Sequence, residues 1–220
     1  MLAKVISCSV TGVDGLLIQV EVDLAQGLPS FSTVGLPEGA VREAKDRVRA
    51  AIKNSGYEFP PRRITVNLAP AAVKKEGTGY DLPIALGILS AAGILQSDLL
   101  AQTAIVGELS LDGSVRPVPG VLSMALAARQ EGFARFLVPA ANAAEAAIVE
   151  GLEIYGIERL DQAVEFLAGM TTLTPLAIDP ADLFACHDQY SVDFADVKGQ
   201  ECAKRAMEIA ASGGHNLLML

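Results

Sequence analysis

The residues with the clearest chemical potential lie in a short glycine-rich loop of this 220-residue chain. Gly77 and Gly79 allow a ligand to approach the backbone closely, and Lys74 and Lys75 stand just before them. Between a strand and a helix, such a loop can bind phosphate through its backbone N–H groups. The loop is therefore a candidate contact for an anion or for the DNA backbone. A tight turn with solvated lysines is the alternative. It is the favoured interpretation, because a single glycine-rich turn is weak evidence for a binding site.

A second cluster, Cys186, His187 and Asp188, contains residue types that bind metal ions. Three adjacent side chains rarely converge on one metal, so we expect a solvated loop here. The cysteines of the chain are widely spaced and lack the paired spacing of a zinc site. No metal site is predicted.

The elements that position the glycine-rich loop follow from the spacing of apolar residues. Residues 63–68 alternate as in a strand, residues 69–81 form the loop, and residues 82–95 are an apolar helix. Strands and helices alternate over residues 1–168, which predicts one compact α/β domain of the two-layer α+β kind. The other predicted strands are 4–10, 18–24, 30–34, 103–111, 114–118, 133–138 and 153–157, and the other helices are 37–56, 120–131, 143–150 and 160–167.

Three details accompany these elements. We expect the first three strands to form an antiparallel sheet, because turn residues separate them. The charged residues 42–49 form the solvated face of an amphipathic helix. Asn142 and Glu145 are spaced as in a capping box and predict a helix start at residue 143.

The end of the chain is predicted to differ from the rest. Residues 169–192 have no sustained period and predict a linker. Residues 193–220 are predicted to begin a second domain, with a helix at 200–211 and an apolar strand at 216–220. Because one strand cannot complete a fold, we interpret the chain as truncated inside a second domain.

Composition excludes several classes of protein. Hydrophobic residues make up 51% of the chain and the mean hydropathy is +0.37, which excludes a disordered segment. The net charge of −9 argues against a broad nucleic-acid-binding face. The longest apolar stretch, 82–95, is shorter than the roughly 20 apolar residues of a membrane-spanning helix. No signal peptide is evident, so we expect a cytoplasmic protein without a membrane partner.

Residues 69–86, A-P-A-A-V-K-K-E-G-T-G-Y-D-L-P-I-A-L, together with residues 31–37, F-S-T-V-G-L-P, carry a specific resemblance. They resemble the N-terminal domain of the magnesium-chelatase-like AAA+ proteins known as the YifB or ComM family, and the match runs from Met1 to Leu220. The resemblance implies a bacterial ATPase subunit that forms a ring, expected to be a hexamer. In the ComM branch it implies a DNA helicase that promotes branch migration in natural transformation.

Residues 193–200, D-F-A-D-V-K-G-Q, and the apolar residues at 216–220 resemble the start of an AAA+ ATPase domain. The resemblance places Val197, Gly199 and Gln200 beside the adenine of ATP, and it places the phosphate-binding Walker A loop directly after Leu220. ATP and magnesium are therefore expected for the full-length protein. The fragment itself is expected to hold no cofactor and to hydrolyse no ATP.

Residues 106–120, V-G-E-L-S-L-D-G-S-V-R-P-V-P-G, are similar to the proteolytic domain of Lon. This similarity implies a Lon-protease-like, ribosomal-protein-S5-domain-2-like fold for residues 1–168. The catalytic serine position falls on Gly79, which has no side chain, and the catalytic lysine position falls on Leu122, which cannot act as a base. Thr78 and Ser123 are adjacent, but the motif holds no lysine to activate them. The domain is therefore predicted to be non-proteolytic.

Two other functions remain open beside the helicase. One is a magnesium-chelatase-type motor, which would insert magnesium into a porphyrin with the help of partner subunits. The other is a pure assembly or partner-binding module, in which residues 1–168 only build the ring or recruit partners.

Overall fold

The computed structural model describes residues 1–178 and 193–219, which lie in two units, Met1–Ile178 and Asp179–Leu220. His187 and residues 179–192 of the predicted linker lie outside the described residues. In the first unit, the backbone N–H of Leu176 donates to the carbonyl of Ile154 at 2.8 Å. Residues 169–178 therefore belong with the first unit.

A seven-stranded sheet organises the first unit, in the order β3-β4-β2-β1-β5-β8-β9. Its strands are β1 (Leu2–Thr11), β2 (Asp14–Ala25), β3 (Ser30–Val34), β4 (Arg63–Ala69), β5 (Thr103–Ile105), β8 (Arg135–Pro139) and β9 (Glu153–Ile157). A separate two-stranded hairpin consists of β6 (Glu108–Leu109) and β7 (Val115–Arg116). The helices are α1 (Gly39–Asn54), α2 (Asp81–Ala91), α3 (Val121–Gln130), α4 (Ala143–Ala146) and α5 (Leu160–Leu167).

Helices cover both faces of this sheet. Side chains alternate across a strand, so neighbouring residues of β8 enter different cores: Leu137 packs with α1, α2 and α5, while Phe136 packs with α3 and α4. The predicted mixed α/β class is confirmed. The structure has three layers, with helices on both faces of the sheet, whereas the sequence predicts two layers. The second helical layer forms because β5, β8 and β9 are apolar on both faces.

The predicted antiparallel opening is confirmed for β1 and β2, which pair from Leu2 opposite Asp23 onwards, and it is wrong for β3. β4 takes the place beside β2, and β3 pairs with β4 in parallel. β4 buries three residues, Ile64, Val66 and Leu68, whereas no residue of β3 is fully buried. The more apolar strand therefore occupies the inner position, and β3 lies at the edge.

The predicted strand 103–111 is broken at Gly107. The N–H of Gly107 donates to the carbonyl of Gly79 at 2.9 Å, and its own carbonyl accepts from Leu82 at 3.0 Å. This backbone is thus bonded to the start of α2 and is unavailable to the sheet. The chain continues as β6 in the separate hairpin.

The predicted capping box at Asn142 is wrong, and α4 is a single turn. The Asn142 side chain accepts from the Val118 N–H at 2.9 Å and donates to the Val118 carbonyl at 3.1 Å. Glu145 accepts from the Leu122 N–H at 3.0 Å, in the first turn of α3. Both side chains therefore provide hydrogen-bond partners for the backbone that leads into α3. Without them, these backbone groups would be buried unpaired.

The second unit is described over residues 193–219. It holds a short 3₁₀ turn, Phe194–Asp196, and one helix, α6 (Glu201–Gly213). Residues 216–219 form no strand, contrary to the prediction, because a strand needs a hydrogen-bonding neighbour and residues 193–219 offer none. Across the described part of the chain, no helix has the length and apolar character required to cross a membrane.

Candidate functional site

The glycine-rich loop forms one wall of a cleft of about 290 Å³ in the first unit. The end of β1 and the segment before α3 form its other walls, through residues that include Ser9, Val118 and Met124. Gly77, Thr78 and Gly79 line it directly. The predicted serine position therefore does face a cleft, as the similarity to Lon implies.

The two predicted catalytic positions carry no catalytic group, and each has a structural reason. A Cβ atom at Gly79 would lie 3.6 Å from a methyl carbon of Val118, which is an ordinary contact. The site thus has space for a side chain but lacks one. Leu122 packs its side chain on the core between the sheet and α3, so hydrocarbon fills the position of the lysine.

Among the described residues, none of the neighbouring hydroxyl and thiol groups is hydrogen-bonded to a lysine. Thr78 donates to the carboxylate of Glu108, and Ser123 donates to the Val13 carbonyl at 2.8 Å. Burial raises the pKa of Cys8 to about 12, so its thiol stays protonated at neutral pH. The described lining of this cleft has no lysine and no thiolate.

Restoring a serine should therefore not restore proteolysis. We expect Gly79→Ser to change the free energy of unfolding by less than about 1 kcal/mol, since neither φ nor a close neighbour opposes a side chain. Gly77→Ser is the matched control; Gly77 has a φ of +80°, so the same change costs about 1–2 kcal/mol. Urea denaturation measures the free energy of unfolding of both variants. An assay with labelled casein tests the Gly79→Ser variant for proteolysis. Casein cleavage by Gly79→Ser would contradict this reading of the cleft.

Lys75 does not have the exposure that the sequence suggested. Its side chain is fully buried, and its ammonium donates to the carbonyls of Pro70 and, at 2.7 Å, of Val73. Burial lowers the pKa of Lys75. The ammonium is bonded within its own loop, so neither predicted alternative, an anion contact or a solvated lysine, describes Lys75.

Lys74 and Gly77 remain on the surface of the loop. The Lys74 ammonium lies 3.3 Å from a carboxylate oxygen of Glu38, and both side chains are exposed. Lys74 therefore has an acidic partner already, which weakens its attraction for an added phosphate. Of the four predicted loop residues, the structure leaves only the backbone of Gly77 and Gly79 facing the cleft.

A buried ion pair that the sequence did not predict holds the loop's far end. Asp81, at the start of α2, has a side chain only 1% exposed and lies 2.7 Å from the Arg47 guanidinium of α1. A second Arg47 nitrogen donates to the other Asp81 oxygen at 3.0 Å, and the Leu109 N–H donates to Asp81 at 3.3 Å. The pair thus joins α1, α2 and β6. Arg47 is therefore not part of a purely solvated helix face.

In the second unit, Val197, Gly199 and Gln200 form an exposed turn before α6. Gly199 and Gln200 both have left-handed backbone conformations, with Gln200 at a φ of 58°. The Lys204 ammonium donates to the Val197 carbonyl at 3.2 Å and fixes the turn against the helix. The turn presents accessible backbone groups, and its geometry alone favours no particular ligand.

Comparison with known proteins connects both units to one family. A family model described as subunit ChlI of Mg-chelatase matches residues 20–142, and one described as magnesium chelatase, subunit ChlI, matches residues 193–220. The chain is 45% identical over 220 residues to the uncharacterized protein YifB of Salmonella typhimurium. It is 44% identical over 221 residues to the competence protein ComM of Haemophilus influenzae.

These two alignments cover 100% of this chain, which spans 42% and 43% of the length of the two relatives. The Lon protease of Lachnoclostridium phytofermentans is 26% identical over 167 residues, which is 70% of this chain and 20% of that protein. The similarity to Lon and the mixed α/β sheet agree with the fold expected from the sequence. The family models and the identity to YifB and ComM show that the chain belongs to the magnesium-chelatase-like YifB/ComM family.

Proposed function

We propose that this chain is the non-proteolytic N-terminal part of a ComM-type AAA+ ATPase that works in the cytoplasm as an ATP-driven ring helicase. The full-length protein would promote DNA branch migration during natural transformation, as a ring of six subunits. The observation that carries this proposal is the 44% identity to competence protein ComM over 100% of the chain. The cleft around Gly79 supports a non-proteolytic role, since it has no serine at the predicted position and no lysine among the described residues that line it.

ATP and magnesium enter the proposal through the second unit. The exposed turn at Val197, Gly199 and Gln200 would contact the adenine, with Lys204 holding the turn in place. When bound in the full-length protein, ATP would supply through its hydrolysis the free energy for movement along DNA. Phosphate and magnesium contacts are assigned to the remainder of the full-length protein.

The test uses the full-length protein on a four-way DNA junction whose arms are homologous. We expect product strands to appear with ATP and magnesium, and not with a non-hydrolysable ATP analogue. A linear duplex of the same sequence is the control for unwinding that does not depend on branching. Absence of ATP-dependent product from the junction would contradict the proposal.

A chelatase-type motor is the second candidate, because both matching family models describe a magnesium-chelatase subunit. In that case the ATPase rate would rise with a porphyrin and partner subunits, and DNA would have no effect. The third candidate is an assembly or partner-binding module, which the empty catalytic positions favour for residues 1–178. Sedimentation of this chain alone would then show ring-sized species, or sedimentation after incubation with a cell extract would show a partner-bound species.

A further inference from the structure

A second cleft, of about 360 Å³, lies in the first unit between α1, the start of β3 and the segment that precedes β4. Four basic side chains line it: Lys45, Arg49, Lys53 and Arg62. Glu58 is the one acidic residue of its lining. This local excess of positive charge stands in a chain whose net charge is −9, so it is not a consequence of composition.

Three of the cations form a row. Lys45, Arg49 and Lys53 are four residues apart on α1, so they share one face of the helix at intervals of about 6 Å. All four cations are exposed, and none forms an ion pair with any residue in the described ranges 1–178 and 193–219. A row of unpaired cations suits a polyanion with regularly spaced charges better than it suits a single small anion.

Aromatic rings lie beside this row. Phe31 and Phe59 are half-buried in the lining, and the Arg49 guanidinium carbon lies 5.6 Å from the centre of the Phe59 ring. The ring holds the guanidinium by a cation–π interaction. Arg49 and the rings therefore offer flat surfaces, and nucleic-acid bases stack on aromatic rings and on arginine planes.

We propose that this cleft binds single-stranded nucleic acid, with Lys45, Lys53 and Arg62 on its phosphates and a base stacked at Arg49 and Phe59. The stacking surface favours a single strand over a duplex, because only unpaired bases are free to stack on Phe59 and Arg49. The proposal rests on the proposed DNA function and names the surface of this chain that serves it. An acidic polypeptide would use the same cations but would gain nothing from the stacking surface.

The test measures binding of a fluorescent oligo-deoxythymidine to this chain by anisotropy, without ATP, over a series of salt concentrations. The variant Lys45→Gln/Arg49→Gln/Lys53→Gln removes the row. The matched control, Arg116→Gln/Arg129→Gln/Lys198→Gln, removes the same charge from exposed positions outside the cleft that form no ion pair with any described residue. Circular dichroism and the midpoint of thermal unfolding check that both variants fold.

We expect the row variant to bind at least about tenfold more weakly, with the slope of log affinity against log salt reduced by about 1.4, because two of its three cations contact phosphates. The control should bind like the unsubstituted chain. Arg49→Lys keeps the charge and loses the planar group. It should therefore weaken binding of the oligonucleotide and leave binding of polyglutamate unchanged. Three results would overturn the proposal. The first is no binding of the oligonucleotide by the unsubstituted chain, and the second is an equal loss of binding in both triple variants. The third is that polyglutamate displaces the fluorescent oligonucleotide at the same concentration of charge as unlabelled DNA does.

The four-way junction assay separates this proposal from the proposed function. If the chain does not bind the oligonucleotide while the full-length protein still migrates junctions with ATP, the cleft proposal fails and the proposed function stands. If the chain binds through the row while the full-length protein shows no ATP-dependent product, the proposed function fails and the cleft stands.

Discussion

Arg47→Met is expected to destabilise the first unit by about 3–5 kcal/mol, because it leaves the Asp81 carboxylate buried without its cation. Asp81→Leu should cost less, since the Arg47 side chain is already 21% exposed and its guanidinium can turn towards water. The double variant Arg47→Met/Asp81→Leu should recover most of the loss caused by Arg47→Met, because an apolar pair needs no desolvation of charge, and the remaining cost is that of the Leu109 N–H left without its acceptor. Urea denaturation of the four proteins gives the cycle directly.

Arg159→Met provides the matched control, as the same substitution in an exposed pair. Arg159 lies 3.1 Å from Asp161, and both side chains are well exposed. We expect a cost below about 1 kcal/mol. If Arg47→Met cost no more than Arg159→Met, the buried pair would not hold α1, α2 and β6 together as described.

The pH dependence of stability checks the same pair independently. Burial raises the pKa of Asp81 to about 6, although Arg47 opposes the rise. A raised pKa means that the folded chain binds a proton more tightly than the unfolded chain does, so this contribution is complete below about pH 4 and is lost as pH rises towards 6. The difference in unfolding free energy between the unsubstituted chain and the double variant should therefore fall over that range. A constant difference would contradict the assignment.

Gly15→Ala is the second change for which we expect a large effect, a loss of at least about 2 kcal/mol. A Cβ atom at Gly15 would lie 2.1 Å from the backbone oxygen of Ser123 and 2.9 Å from the Cβ of Ala127. Both belong to α3, which would have to move off β2. Thermal and urea unfolding measure the loss.

Gly39→Ala tests whether the clash, and not the glycine replacement as such, causes that loss. Gly39 is the first residue of α1, and a Cβ there meets nothing within 4 Å. Alanine favours a helix more than glycine does, so we expect a gain of about 0.5 kcal/mol. If Gly15→Ala were as well tolerated as Gly39→Ala, the close packing of α3 on β2 would be refuted.

The sequence predicts where helices and strands form better than it predicts which strands pair with each other. The period of 2 in β2 and the helical period of α1 follow from which residues are buried, and both elements form as expected. A period does not say which strand will lie alongside, and so the sequence predicts, wrongly, that β3 lies beside β2. That choice depends on β4, which competes for the same edge from a distant part of the chain.

The same limit applies to the candidate site. Gly79 and Leu122 could be assigned as empty catalytic positions, because absence of a hydroxyl or an amine is a property of the residue alone. Lys75 and Arg47 could not be assigned, because each is charged and stands in a hydrophilic stretch. Their burial arises from contacts with Pro70 and Asp81 that form only when the loop and helices pack.

The position of β4 between β2 and β3 also sets an order of events during synthesis. The β1–β2 hairpin can form as soon as it leaves the ribosome, but β3 has no strand to pair with until Ala69 has emerged. The other side of β1 stays open until β5 follows. A nascent chain therefore carries a hairpin with two unpaired edges until Ala69 has emerged, and with one unpaired edge until Ile105 has emerged, and unpaired strand edges are prone to pair with other chains.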